Sequence, residues 1–247
     1  MTKPGHPRIA VIGHRGAMGH APENTLASFK KAIEIGVDFV EMDIHLTSDG
    51  VPVVIHDHTL DRTTNGHGLV GQTPLEQVRS LDAGSWFDPA FASERVPTLE
   101  EVLRLTSGEC GVVLEIKNGP MHYPGIEKKV IDALHRSDMT GAALAISFDH
   151  PTVLRISGLD PSVRTGVLFV CQPVDVVGMA RGANARVLLP QWSYLTGDMV
   201  ETARKAGLEM MPWVVDDPNV MQTLIWLRVD AITSNYPDRL KHVLTES

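Results

Sequence analysis

Short apolar runs recur along this chain, separated by stretches whose apolar residues repeat every three or four positions. The runs predict eight strands, at residues 9–12, 39–44, 112–116, 143–147, 164–169, 187–190, 209–215 and 231–233. Helical spacing fills the intervals. Leu26, Phe29 and Ile33 follow Pro22-Glu23-Asn24-Thr25, and Gly36 is placed to end that helix. Thr98-Leu99-Glu100-Glu101 reads as a capping box ahead of Val102, Leu103 and Leu105. Ile126, Val130, Ile131 and Leu134 form another stripe. Asp217-Pro218 pairs an N-cap with proline at the first helical position, before Met221, Leu224 and Ile225.

Eight strand–helix units of this length predict a (β/α)8 barrel. A doubly wound open sheet is the competing arrangement, but the first strand lacks the glycine-rich phosphate turn of dinucleotide binders. Val51-Pro52-Val53-Val54-Ile55 is also strand-like, yet only Thr47-Ser48-Asp49-Gly50 separates it from the second strand. Parallel neighbours need a crossover of a dozen or more residues, so a turn this short predicts an antiparallel return. The second strand is therefore expected to overshoot the rim, turn at Asp49-Gly50, and bring His56 back beside Glu41 and Asp43. Residues 57–96 carry turn chemistry (Asn65-Gly66, Gly68, Gly71) and Trp86-Phe87 without a full strand–helix unit. They are expected to form an insertion over the barrel mouth, within one catalytic domain spanning residues 1–247.

Composition narrows the functional classes. An apolar content of 43% suits a globular domain with a sizeable core. No apolar stretch is long enough to span a bilayer, and the first residues lack a signal-type apolar segment, so the cytoplasm is the expected compartment. A net charge of -8 disfavours nucleic acid or an anionic membrane as the main partner. A phosphate ester could bind only where local cations overrule that field. Cys110 and Cys171 lack metal-type spacing and adjoin apolar runs; they are expected to be reduced and partly buried.

Polar clusters then follow the apolar runs, always at the same end: His14-Arg15-Gly16, Glu41-x-Asp43, His56-Asp57, Glu115-x-Lys117 and Ser234-Asn235. In a barrel that end carries the chemistry. Glu41 and Asp43 share one strand face, as do Glu115 and Lys117, because strand side chains alternate. Three inward carboxylates repel unless a cation compensates them. Arg15 and Lys117 could do so as a purely internal pairing of a polar mouth. The alternative is an all-oxygen site for one hard divalent ion, Mg2+ or Ca2+; zinc would normally recruit histidine or cysteine. His14 and His56 end apolar runs beside charges, where a histidine pair can divide general-base and general-acid roles. His6, His20, His122, His135 and His242 read as surface residues. Asp57 is either an orienting partner for His56 or an ordinary turn aspartate. Arg15 and Lys117 supply the fixed positive charge that a phosphate needs.

Together with Pro22-Glu23-Asn24-Thr25, Thr47-Ser48-Asp49-Gly50, Leu60-Asp61-Arg62-Thr63-Thr64, Ser147-Phe148-Asp149 and Asn235-Tyr236-Pro237-Asp238, these clusters resemble the glycerophosphodiester phosphodiesterase family, in order over nearly the whole chain. The resemblance implies a (β/α)8 barrel with a small insertion after the second strand. It implies Glu41, Asp43 and Glu115 as metal ligands and His14 and His56 as the acid/base pair. It further implies Arg15 and Lys117 as phosphate contacts and Trp213 as part of the pocket wall. Where the family commonly has Trp-Thr-Val-Asn, this chain has Trp213-Val214-Val215-Asp216, a departure that bears on which alcohol is accepted. The implied reaction is metal-dependent hydrolysis of a small glycerophosphodiester to glycerol 3-phosphate and an alcohol; attack by the glycerol 2-hydroxyl through a cyclic phosphate is the expected route, and direct attack by metal-bound water is the alternative. A lysophospholipase D or a cyclising phospholipase would share these parts. An inactive phosphate-binding module would be expected to have lost a histidine or a metal carboxylate.

Overall fold

The protein is represented by a computed structural model that describes residues 8–246. His6 and the start of the chain, which bore on the leader reading, lie outside the described residues. The chain runs β1 (Ala10–Gly13), α1 (Leu26–Ile35), β2 (Phe39–Leu46), β3 (Pro52–Val54), α2 (Leu75–Ser80), α3 (Leu99–Thr106), β4 (Gly111–Ile116), α4 (Ile126–Arg136) and β5 (Ala143–Ser147). It continues with α5 (His150–Leu159), β6 (Arg164–Phe169), α6 (Val176–Gly182), β7 (Val187–Pro190), α7 (Gly197–Lys205), β8 (Glu209–Met210), α8 (Pro218–Leu227), β9 (Ala231–Ser234) and α9 (Pro237–Glu246).

Eight of the strands are parallel neighbours in the order β8-β7-β6-β5-β4-β2-β1-β9. Backbone hydrogen bonds close the ring: Asp230 donates to the Met210 carbonyl, Thr233 to Pro212, and Val215 to Thr233. This is the (β/α)8 barrel that the alternation predicted. The helix starts follow their expected chemistry. Thr25 caps α1 through Ser28, the Thr98 box caps α3, and Asp217 caps α8. Gly36 ends α1 in the left-handed region, with φ of 78°.

Alternation along the strands sorts side chains into two layers. Val40, Met42 and Ile44 join the strand–helix core with Val112, Leu114 and Ile116. Val113, Leu144, Ile146, Leu168 and Leu189 pack inside the barrel. Glu41, Asp43 and Glu115 occupy the intervening positions, so they face inward near the strand ends.

One expected strand is shorter than its apolar run. The regular ladder at 209–215 stops at Met210: Met211 and Trp213 still donate to the Leu188 and Pro190 carbonyls of β7, but Pro190 has no N–H to return to this segment. The chain thus stays in the barrel wall. β3 pairs antiparallel with β2 in the expected return, with Gly50 at φ of 76° in the turn. β3 and the residues after it gather a satellite core of Val53, Ile55, Leu60, Val70, Val78 and Val96. Both cysteines are free, but Cys171 is exposed and Cys110 half-buried, so the expectation of partial burial fails for Cys171. It sits two residues past β6, in the loop that leads to α6. No helix among the described residues is long and apolar enough to cross a membrane.

Candidate active site

Register brings the predicted residues together. Gly13 pairs with Val40 on one side and Ser234 on the other, so the residue after each strand position meets its neighbours at the rim. His14 therefore lies beside Glu41, with Nε2 3.9 Å from the Glu41 carboxylate, and beside Asn235, 2.6 Å from Nδ1. Asp43 pairs directly with Glu115 across β2 and β4. One oxygen from each of Glu41, Asp43 and Glu115 lies within 4.8 Å of the others. The β3 return brings the Ile55 N–H to the Asp43 carbonyl and sets His56 at the same rim.

The cations bind into this cluster. Lys117 lies 3.0 Å from Asp43 and 2.5 Å from Glu115. Arg15 lies 3.1 Å from Asp43 and 2.7 Å from Glu23, and its backbone N–H donates to Glu41 at 2.9 Å. Arg15 has φ of 49° and the following Gly16 has φ of 89°, a tight turn held by the Ser28 hydroxyl donating to the Arg15 carbonyl. His56 Nδ1 meets Asp57 at 2.6 Å, and Arg62 clamps Asp57 and Glu23 together. Asp57 is thus an orienting partner for His56.

The ionisation pattern follows from burial and these charges. Burial raises Glu41, and the Asp43 and Glu115 charges raise it further, well above the usual carboxylate value. Glu115 is also raised, by burial and Asp43 against the pull of Lys117. Burial acts the same way on Asp43, but Lys117 and Arg15 overcome it and hold Asp43 far below the ordinary range. Burial and the Arg15 charge push the His14 imidazole down to about 4, and burial lowers His56 as well. Both rings are therefore neutral near pH 7.

The donor set fits a hard divalent cation. When all three carboxylates are ionised they outnumber the two cations, and the mutual repulsion that raises Glu41 and Glu115 is what a bound divalent ion would relieve. Asp43 Oδ1 is buried and receives no well-aligned hydrogen bond, although Lys117 is close enough to be a charge contact. A buried carboxylate oxygen without a donor, among other carboxylates, is suited to an all-oxygen ligand sphere. Trp213 belongs to another arc of the rim. It donates its indole N–H to the Leu189 carbonyl and stacks edge-on against Phe148, with centroids 5.6 Å apart.

The comparisons with known proteins agree with this geometry. Residues 14–239 match the model of the glycerophosphoryl diester phosphodiesterase family. The chain is an enzyme of that family. A glycerophosphodiester phosphodiesterase from Caldanaerobacter subterraneus subsp. tengcongensis is 41% identical over 94% of this chain and 96% of its own length. An Oleispira antarctica phosphodiesterase, solved in complex with the product sn-glycerol-3-phosphate, superposes with a TM-score of 0.89 at 31% identity, covering 96% of each chain. The glycerophosphodiester phosphodiesterase structure from Agrobacterium tumefaciens gives a TM-score of 0.84 at 32% identity, covering 95% of this chain and 99% of that one.

Beyond the residues that the family resemblance implied, the structure adds Glu23, Asn24, Asp57, Arg62, Asp216 and Asn235 to the site's hydrogen-bond framework. Buried His45 joins them, with Nε2 on the His56 carbonyl and Nδ1 on the Tyr123 hydroxyl. Its sequence signal was an ordinary inward position on β2, which does not distinguish it from a packing residue. Of the histidines read as surface residues, His20, His122, His135 and His242 are exposed.

Proposed function

We propose that the site hydrolyses glycerophosphodiesters by proton transfer between His14 and His56, with one divalent ion, Mg2+ or Ca2+, at Glu41, Asp43 and Glu115. The observation that carries the reading is the cluster itself. Two neutral histidines, each with Nδ1 engaged away from the reaction side, share one rim with three carboxylates and two cations. When bound, the ion would lower the pKa of a ligated hydroxyl and offset charge on the phosphate oxygens. Arg15 and Lys117 stabilise the charge that develops on phosphorus-bound oxygens. One histidine removes the proton of the glycerol 2-hydroxyl as that oxygen attacks phosphorus. The other protonates the departing alcohol. Water opens the resulting cyclic phosphate with the two histidine roles exchanged, giving glycerol 3-phosphate.

Trp213 and Phe148 form an aromatic wall on the leaving-alcohol side. The indole N–H is already spent on Leu189, so this wall offers ring surface and no donor. A small-molecule diester with a loosely recognised headgroup fits such a wall. Release of glycerol 3-phosphate from glycerophosphocholine and glycerophosphoethanolamine, with and without chelator, tests the reading. Full activity in metal-free enzyme would remove the ion from the mechanism. A diester built on 2-deoxyglycerol should bind as an inhibitor without turning over; its efficient hydrolysis would replace the cyclic route with direct attack by water.

A further inference from the structure

His14 is held from behind by a chain of groups that reaches across three neighbouring segments of the barrel. Asp216, in the loop before α8, accepts three hydrogen bonds. Its Oδ1 takes the Ser234 hydroxyl and the Asn235 backbone N–H, each at 2.9 Å, and its Oδ2 takes the Asn235 side-chain amide at 2.7 Å. An ionised carboxylate can only accept, so the NH2 end of Asn235 must face it. A flipped amide would set two acceptors 2.7 Å apart. The Asn235 Oδ1 is thereby fixed toward His14 Nδ1, 2.6 Å away, and it too can only accept. Nδ1 must carry the hydrogen.

That constraint matters because of what lies on the other side of the ring. Nε2 is 3.9 Å from the Glu41 carboxylate, an acceptor that would draw an Nε2–H tautomer toward itself. A ring of that tautomer would present a donor to the ligand side and could not accept a proton there. We infer that Asn235 and Asp216 are positioning residues that impose the Nδ1–H tautomer on His14 and keep the Nε2 lone pair directed into the site. His56 is backed differently, by a carboxylate, Asp57, at the corresponding nitrogen. The catalytic consequence rests on the reading of His14 as a proton-transfer group; the tautomer does not.

Long-range 1H–15N correlation spectra of the full chain, labelled at histidine nitrogens and loaded with Mg2+, test this directly. His14 is assigned by the signal that disappears in His14→Gln. The wild type should show a protonated Nδ1 and a bare Nε2. Asn235→Ala and Asp216→Asn should shift His14 toward Nε2–H. They should lower kcat on glycerophosphoethanolamine about 10–100-fold, with KM changed less than about twofold. The exchanged pair Asn235→Asp with Asp216→Asn again offers His14 an acceptor held by an amide donor, so it should restore the Nδ1–H tautomer and part of kcat. A wild-type ring carrying hydrogen on Nε2 overturns the inference. So does an unchanged tautomer in both single variants, or no restoration in the exchanged pair. If no diester is hydrolysed yet the tautomers respond as stated, the proposed function fails and the positioning inference stands.

Discussion

Glu23 is only 5% exposed, yet it carries a charge held by two guanidinium groups, Arg15 and Arg62. Burial pushes its pKa up, but the Arg62 and Arg15 contacts outweigh it and hold Glu23 below its usual value. Through Arg62 the same carboxylate is tied to Asp57 and so to the His56 ring. Single residues here act through partners, which shapes what their loss should do. His14→Ala and His56→Ala should each lower kcat by roughly 10²–10⁴-fold with KM largely preserved, since each removes one proton-transfer group. The double variant should cost far less than the product of the singles in the same steady-state assay. A His56 variant with a near-normal rate would exclude that residue. Sequence revealed these two histidines because each ends an apolar run beside charges. It did not reveal why Asn235, Asp216 or Arg62 matter. Their roles depend on which strands are neighbours in the closed ring, and sequence separations of 221, 19 and 39 residues between the hydrogen-bonded partners conceal that.

At the scale of elements, strand polarity and one-residue alternation determine most of the site. Period-two patterning was enough to place Glu41 with Asp43 and Glu115 with Lys117, and the four-residue turn was enough to predict the antiparallel return. The run at 209–215 has the apolar content of a full strand, but its regular ladder ends at Met210 because Pro190 on the neighbouring strand has no N–H to donate. The turn after β1 leaves no room for a side chain. A Cβ on Gly16 would lie 2.6 Å from the Ser28 carbonyl carbon, at a φ of 89° that disfavours any side chain. Gly16→Ala should therefore destabilise the protein by about 1–3 kcal/mol in denaturant titrations. By displacing Arg15 from Glu41 and Asp43 it should also lower kcat/KM by about 10²-fold. A variant with unchanged stability and rate would show that the turn relaxes freely.

The molecule as a whole is acidic, with a net charge of -8, and Glu41, Asp43 and Glu115 converge at the point of the rim where the proposed function puts the substrate's phosphate. Divalent ion binding should relieve that conflict, and its benefit should depend on pH. Glu41 and Glu115 have raised values in the folded metal-free protein, so each costs stability as pH rises above the usual carboxylate value of 4.5. Asp43 is ionised in both folded and unfolded states over that window. His14, whose value is lowered, works in the opposite direction, so the metal-free Tm alone does not isolate the carboxylates. The increment in Tm on adding Mg2+ does. It should be larger at pH 7.5 than at pH 5, because protons compete for the ligands; each tenfold loss of affinity removes about 1.4 kcal/mol of the stabilisation behind that increment when the ion is in excess. An increment independent of pH would argue against carboxylate ligands. The barrel is also divided in its loyalties. The polar and charged site residues project from β9, β1, β2 and β4, which are neighbours in the ring, and from β3, which pairs with β2, with Asp216 behind them after β8; the exposed rim of Phe148, Val170, Val174, Trp192 and Tyr194 follows β5, β6 and β7. An evolving lineage could exchange the second arc as a cassette without touching the first. A chimaera carrying a relative's segment in place of residues 143–211 should keep the reaction and inherit the donor's choice among alcohols, which a headgroup panel on parent, donor and chimaera would read out.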